Sequence, residues 1–172
     1  MVLNRQRRVG VDVARARAFA RRLRVALMLG GRDFNVCLVD DGAMARLNAA
    51  FRGKDAATDV LSFPWTEAKA RSGRAPKKGT RRSAGREGGD REFDGFLGDV
   101  VISVETARRN ARVEGHSTAN EIRWLILHGL LHLLGYNHET DRGEMTALEL
   151  ALRERLSIAG GARRRRRRAR KS

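Results

Sequence analysis

The sequence predicts an α+β fold: a single domain with a small mixed β-sheet packed with about five helices. Three observations predict it. The chain has 172 residues, enough for one well-filled core and too few for two comfortable ones. Strand-like and helix-like runs follow each other without the strict alternation of a parallel α/β protein. The densest apolar segment, EIRWLILHGLLHLL, reads as a buried helix around which the rest can pack.

Taken in order, Val2 to Val9 predicts a first strand. A helix from about Asp12 to Leu29 follows, with Phe19, Leu23 and Ala26 or Leu27 at helical spacing, and Gly30 and Gly31 end it. FNVCLVD reads as a strand, and Asp41 caps a helix carrying Met44, Leu47 and Phe51. In RGKDAATDVLSFPW the polar half reads as a loop and the apolar half as a strand stopped by Pro64. FLGDVVISVE is the most strand-like run in the chain, and a short basic helix spans about Glu105 to Val113. Thr118 and Glu121 form a capping box for the apolar helix, and a last helix from about Asp141 to Leu156 repeats Met145, Leu148, Leu152 and Leu156 on one side.

Three of the four histidines fall within HGLLHLLGYNH, from His128 to His138. His128 and His132 share one helix face about 6 Å apart along the axis, so both imidazoles can reach one ion at roughly 2.0 to 2.1 Å. Gly135 stops the helix and lets the chain swing His138 back towards the same point. Three neutral nitrogen ligands with a fourth position open describe a zincin-like HxxxHxxGxxH site and a catalytic rather than structural zinc, one per chain. The ligand type favours zinc, although imidazole also suits nickel, copper and iron. Metzincin peptidases share the spacing but carry glutamate as general base directly after the first histidine, where this chain has Gly129. The pattern therefore points to metal-assisted hydrolysis of something other than peptides.

The formal charge of +16 points to a polyanionic partner. Eight of those charges lie in the tail after Gly161 and a net four between Thr66 and Asp94, which leaves +4 for the rest. Both segments are poor in large apolar groups, so residues 1–158 read as the folded domain, 66–94 as a flexible basic insertion and 159–172 as a disordered arginine-rich tail. Arg163, Arg164, Arg165, Arg166, Arg167 and Arg168 are the candidate RNA contacts of that tail, with plain solubility as the alternative. A single cysteine, Cys37, rules out an internal disulfide framework and fits a reducing compartment without a disulfide-linked partner. No segment has the length of a membrane span or the plan of a signal peptide, and a cytoplasmic location is expected.

FRGKDAATDVLSFP, LGDVVIS and HGLLHLLGYNH, taken together, resemble the three signature blocks of the YbeY family, bacterial endoribonucleases that act as rRNA maturation factors; the resemblance runs from about Asp33 to Leu156. It implies a zinc-dependent, single-strand-directed RNase that trims the 3′ end of small-subunit (16S) rRNA and serves ribosome quality control. The implied partners are rRNA, other single-stranded RNA and the small ribosomal subunit. His128, His132 and His138 match the family's metal ligands, and Arg52 matches an arginine that faces its active site. A guanidinium beside a metal suits a phosphodiester, because it can clamp non-bridging oxygens and balance the charge of a phosphorane; the competing reading of Arg52 is a solvated loop residue. The family usually has aspartate where Asn137 stands, which removes a candidate carboxylate behind the ligands. Asp59 and Asp99 either orient a ligand histidine or act as a base, with a turn or cap role as the alternative. His116 is expected at the surface. The rival to the nuclease is a non-catalytic RNA-binding ribosome-assembly factor that keeps zinc for stability, followed by a metal-dependent hydrolase of other substrates.

Overall fold

The computed structural model describes residues 1–65, 95–137 and 141–158. The expectations placed on 66–94, on the tail from 159 onward and on His138 lie outside the described residues. Four strands are described, β1 (Val2–Asn4), β2 (Asp33–Val39), β3 (Val60–Pro64) and β4 (Phe96–Ser103). They form one sheet in the order β1-β2-β4-β3, parallel except for the antiparallel edge strand β3. The described helices are α1 (Val13–Ala26), α2 (Asp41–Arg52), α3 (Val104–Glu114), α4 (Thr118–Leu133) and α5 (Glu144–Arg155). This is the mixed sheet and helix complement expected from the sequence. No described helix is long and apolar enough to cross a membrane.

Side chains alternate across a strand, and that period of two decides which helices cover which face. Phe34, Val36 and Leu38 of β2 and Val100 and Ile102 of β4 join Leu23 of α1, Ile126 and Leu130 of α4 and Met145 of α5 in the main core. Val39, Val101 and Leu61 turn to the opposite face and meet Met44 of α2 in a smaller one. Full burial of each such aliphatic side chain contributes about 1.5–3 kcal/mol. The histidine helix α4 therefore lies on the sheet, and closely so. A Cβ on Gly129 would come within 2.5 Å of Val100 Cγ1, and the Ser62 hydroxyl donates to the Gly129 carbonyl at 3.0 Å. The position that carries glutamate in metzincins is here a contact between helix and sheet.

Several boundaries differ from the sequence reading, each for a local reason. The first strand stops at Asn4 because the buried Gln6 side chain bonds the Val9 carbonyl and the Arg8 and Val9 amides, folding the chain away from the sheet. Helix α1 ends at Ala26 rather than Leu29. Met28 takes a left-handed φ of 49°, which lets Leu29 turn back into the core. The cap of α2 is Asp40, whose carboxylate accepts from the Ala43 amide at 2.8 Å. Asp41 instead ties α2 to α3 by accepting from Thr106 Oγ1 at 2.8 Å, Arg109 at 2.7 Å and the Ser103 hydroxyl. Phe51 is exposed and meets Phe63 edge to face at 4.8 Å. Ser117, not Thr118, caps α4, so Glu121 falls outside any capping box and is buried. Helix α5 begins at Glu144, with Asp141 accepting from the Gly143 and Met145 amides ahead of it.

Candidate active site

The i,i+4 spacing on α4 brings His128 Nε2 and His132 Nε2 to 3.1 Å from each other, with the rings edge to face. Each ring is held from behind. Gly135, at φ +92°, ends the helix, donating its N–H to the His132 carbonyl at 3.0 Å, while the Tyr136 N–H reaches the Leu131 carbonyl at 3.1 Å. That turn brings the Tyr136 carbonyl to 3.0 Å from His132 Nδ1. On the other ring, His128 Nδ1 lies 3.2 Å from Glu149 Oε1 of α5, and the Trp124 indole donates to the same oxygen at 2.6 Å.

A carbonyl and a carboxylate can only accept, so in the neutral rings the protons belong on Nδ1 and the two Nε2 lone pairs face each other. Such a pair of nitrogens could ligate one cation. Two imidazoles bound tetrahedrally to an ion at about 2.05 Å hold their nitrogens roughly 3.3 Å apart, close to the spacing here. Among the described residues no group of three or more His, Cys, Asp or Glu side chains gathers as a metal-holding set. The third expected ligand, His138, lies outside the described residues, as do Arg163 to Arg168.

The pair opens onto a cleft of about 500 Å³ whose walls include Arg52, Asp59, Ser62 and Asn137. Arg52 is not a loop residue: it is the last residue of α2, followed by Gly53 in the left-handed conformation. The end of that helix places the exposed Arg52 among the residues lining the same cleft as the two histidines. Asp59 lines the cleft with its carboxylate occupied, accepting from the Val60 amide at 2.9 Å, the Thr58 hydroxyl at 3.2 Å and Asn110 at 3.3 Å. Asp99 accepts from Asn35 across the sheet at 3.0 Å and is not among the cleft's lining residues. Asn137 lines the cleft mouth.

His116 is not a surface side chain. It is 6% exposed and its Nε2 lies 3.0 Å from Glu121 Oε2, itself 2% exposed. Burial pushes the Glu121 carboxyl above the usual carboxylate range, and the charge of His116 only partly offsets this.

The residue that sequence reasoning missed is Glu149. Burial would raise its carboxyl, but hydrogen bonds from His128 and Trp124 outweigh that and hold it below its ordinary value. A signal was present: Glu149 sits four residues after Met145 and three before Leu152, a carboxylate within the buried stripe of α5.

Residues 3–157 match the family model described as Endoribonuclease YbeY. A curated relative from Nautilia profundicola, named Endoribonuclease YbeY, is 43% identical over 131 residues, covering 76% of this chain and 77% of that protein. Another of the same name, from Koribacter versatilis, is 36% identical over 158 residues, or 92% of this chain and 86% of its own. The fold is similar to the solution structure of TM1509 from Thermotoga maritima, with a TM-score of 0.56 and 24% identity over 91% of this chain and 89% of that one. The family model thus takes in α2 with its terminal arginine, the sheet, the histidine helix and α5 together, and the chain belongs to the YbeY endoribonuclease family.

Proposed function

We propose that the chain is a metal-dependent, single-strand-specific endoribonuclease that matures the 3′ end of 16S rRNA and serves ribosome quality control in the cytoplasm. One zinc per chain is held by His128, His132 and His138, and the partners are rRNA, other single-stranded RNA and the small ribosomal subunit. The observation that carries the reading is the pair of imidazole nitrogens facing each other at 3.1 Å in a cleft that Arg52 also lines. The names of the relatives support the choice of RNA as substrate.

Bound there, zinc would supply positive charge to the scissile phosphate and bring the pKa of a water towards about 7. The chain's own residues do the rest. Glu149 and the Tyr136 carbonyl keep the Nε2 lone pairs aimed at one point. Arg52 donates to the non-bridging phosphate oxygens and balances the charge that grows in the phosphorane. Asp59, already accepting three hydrogen bonds, shapes the wall of the cleft. The excess of positive charge draws the polyanion in and makes binding salt-dependent.

The test is to incubate the purified protein with a single-stranded rRNA fragment bearing a 3′ extension and with the same fragment in duplex form, with and without chelator. Cleavage of the single strand alone, abolished by chelator and restored by zinc, is the expected result. Binding without cleavage under every condition would replace the enzyme with a non-catalytic assembly factor.

A further inference from the structure

Two i,i+4 pairs interlock where α4 meets α5. Trp124 and His128 on α4 both address Glu149 Oε1, at 2.6 and 3.2 Å, while Arg153, one turn beyond Glu149 on α5, lies over the Trp124 ring with its guanidinium carbon 4.1 Å from the centroid. We propose that Glu149 is a positioning residue of the site: it holds the Nδ1 proton of His128, and so the tautomer that turns an unprotonated Nε2 towards His132, while Trp124 and Arg153 hold the carboxylate in place.

Glu149 is 13% exposed on its side chain, so its bond to the imidazole competes with little water. A single oxygen shared by an indole and an imidazole can swing towards neither without losing the other. The stacked guanidinium restricts the indole in turn, at a contact of the cation–π type. Helix α5, which the sequence reading assigned to core packing alone, thereby becomes part of the site. The ligand role of His128 rests on the metal reading above, whereas the tautomer does not.

Metal-free protein is therefore the first probe. Long-range ¹H–¹⁵N spectra at a pH about two units above the ordinary imidazole value should show His128 in the Nδ1–H form in the parent. Glu149→Gln, which keeps an acceptor oxygen, should retain that form, and Glu149→Leu should shift His128 towards the Nε2–H form. Competition with a chelator then reads zinc affinity: Glu149→Leu should bind about 10- to 100-fold more weakly than the parent, Glu149→Gln should fall between them, and Trp124→Phe should weaken binding several-fold while keeping a ring beneath Arg153. A His128 spectrum unchanged in Glu149→Leu overturns the proposal, whatever the zinc result. A parent that shows the expected tautomer and loses it in Glu149→Leu, yet binds no zinc, sinks the metal reading and leaves the positioning role standing.

Discussion

Replacing Gly129 by alanine adds one methyl group at the contact between the histidine helix and the sheet. That Cβ would sit 2.5 Å from Val100 Cγ1 and 3.1 Å from both Val100 Cγ2 and Ser62 Oγ. Carbon atoms pack at roughly 3.5–4.0 Å, so α4 and β4 must separate locally by about 1 Å. Val100 is fully buried on a strand paired on both sides and has nowhere to retreat. Overpacking of this kind costs about 1–3 kcal/mol, offset by about 1 kcal/mol of helix propensity gained over glycine. The net loss should therefore be up to about 2 kcal/mol, read as a lower urea midpoint at unchanged slope. The same displacement moves His128, and a 1 Å misplacement can cost on the order of 10² in rate. Val100→Ala removes both clashing methyls. In that background Gly129→Ala should cost nothing or stabilise, so the double-mutant cycle should show coupling of at least about 1 kcal/mol. A double-mutant cycle without coupling, together with a Gly129→Ala protein as active as the parent, would refute the reasoning.

Arg52→Ala should leave folding and zinc content intact and lower RNA cleavage on the order of 10²-fold or more, measured as single-turnover rates; unchanged rates would return Arg52 to the solvent. Asp41 gives a pH dependence: partial burial works against its charge, but hydrogen bonds from Arg109, Ser103 and Thr106 prevail and lower its pKa from 3.8 to about 2. Its contribution, on the order of 1 kcal/mol once solvent screening is allowed for, is complete above the unfolded value and lost as pH falls through the folded one. Asp41→Asn should accordingly be less stable than the parent at pH about 6, and the gap should narrow as pH falls from about 4 to about 2, by urea titration. Deleting the tail after Gly161 should weaken RNA binding without abolishing cleavage, and the slope of log affinity against log salt should become shallower by up to ~0.7 per lost phosphate contact; an identical slope would exclude the tail from binding.

Much of the fold was legible because periodicity reports burial. The nearly continuous apolar runs within FNVCLVD and LGDVVIS mark strands with two covered faces, and the unbroken apolar run before His128 marks a helix laid on the sheet. Cap positions were less legible, since Asp40 and Asp41, or Ser117 and Thr118, are chemically equivalent one residue apart. Only tertiary contacts decide between them: Thr106 and Arg109 hold Asp41, and His116 draws Glu121 inward. The histidine pair was legible from spacing, and Arg52 from its block. Glu149 was not, because its partners lie 21 and 25 residues away on another helix and no local pattern connects them. The apolar stripe of α5 drew attention to packing and hid the carboxylate within it.

Elemental analysis of the purified chain tests most directly whether one ion is held between His128 and His132. The parent should carry about one zinc per chain, and His128→Ala and His132→Ala, each shown to be folded by circular dichroism, should carry almost none, because the imidazoles that remain cannot hold the ion well. Undiminished zinc in both folded variants would contradict the assignment.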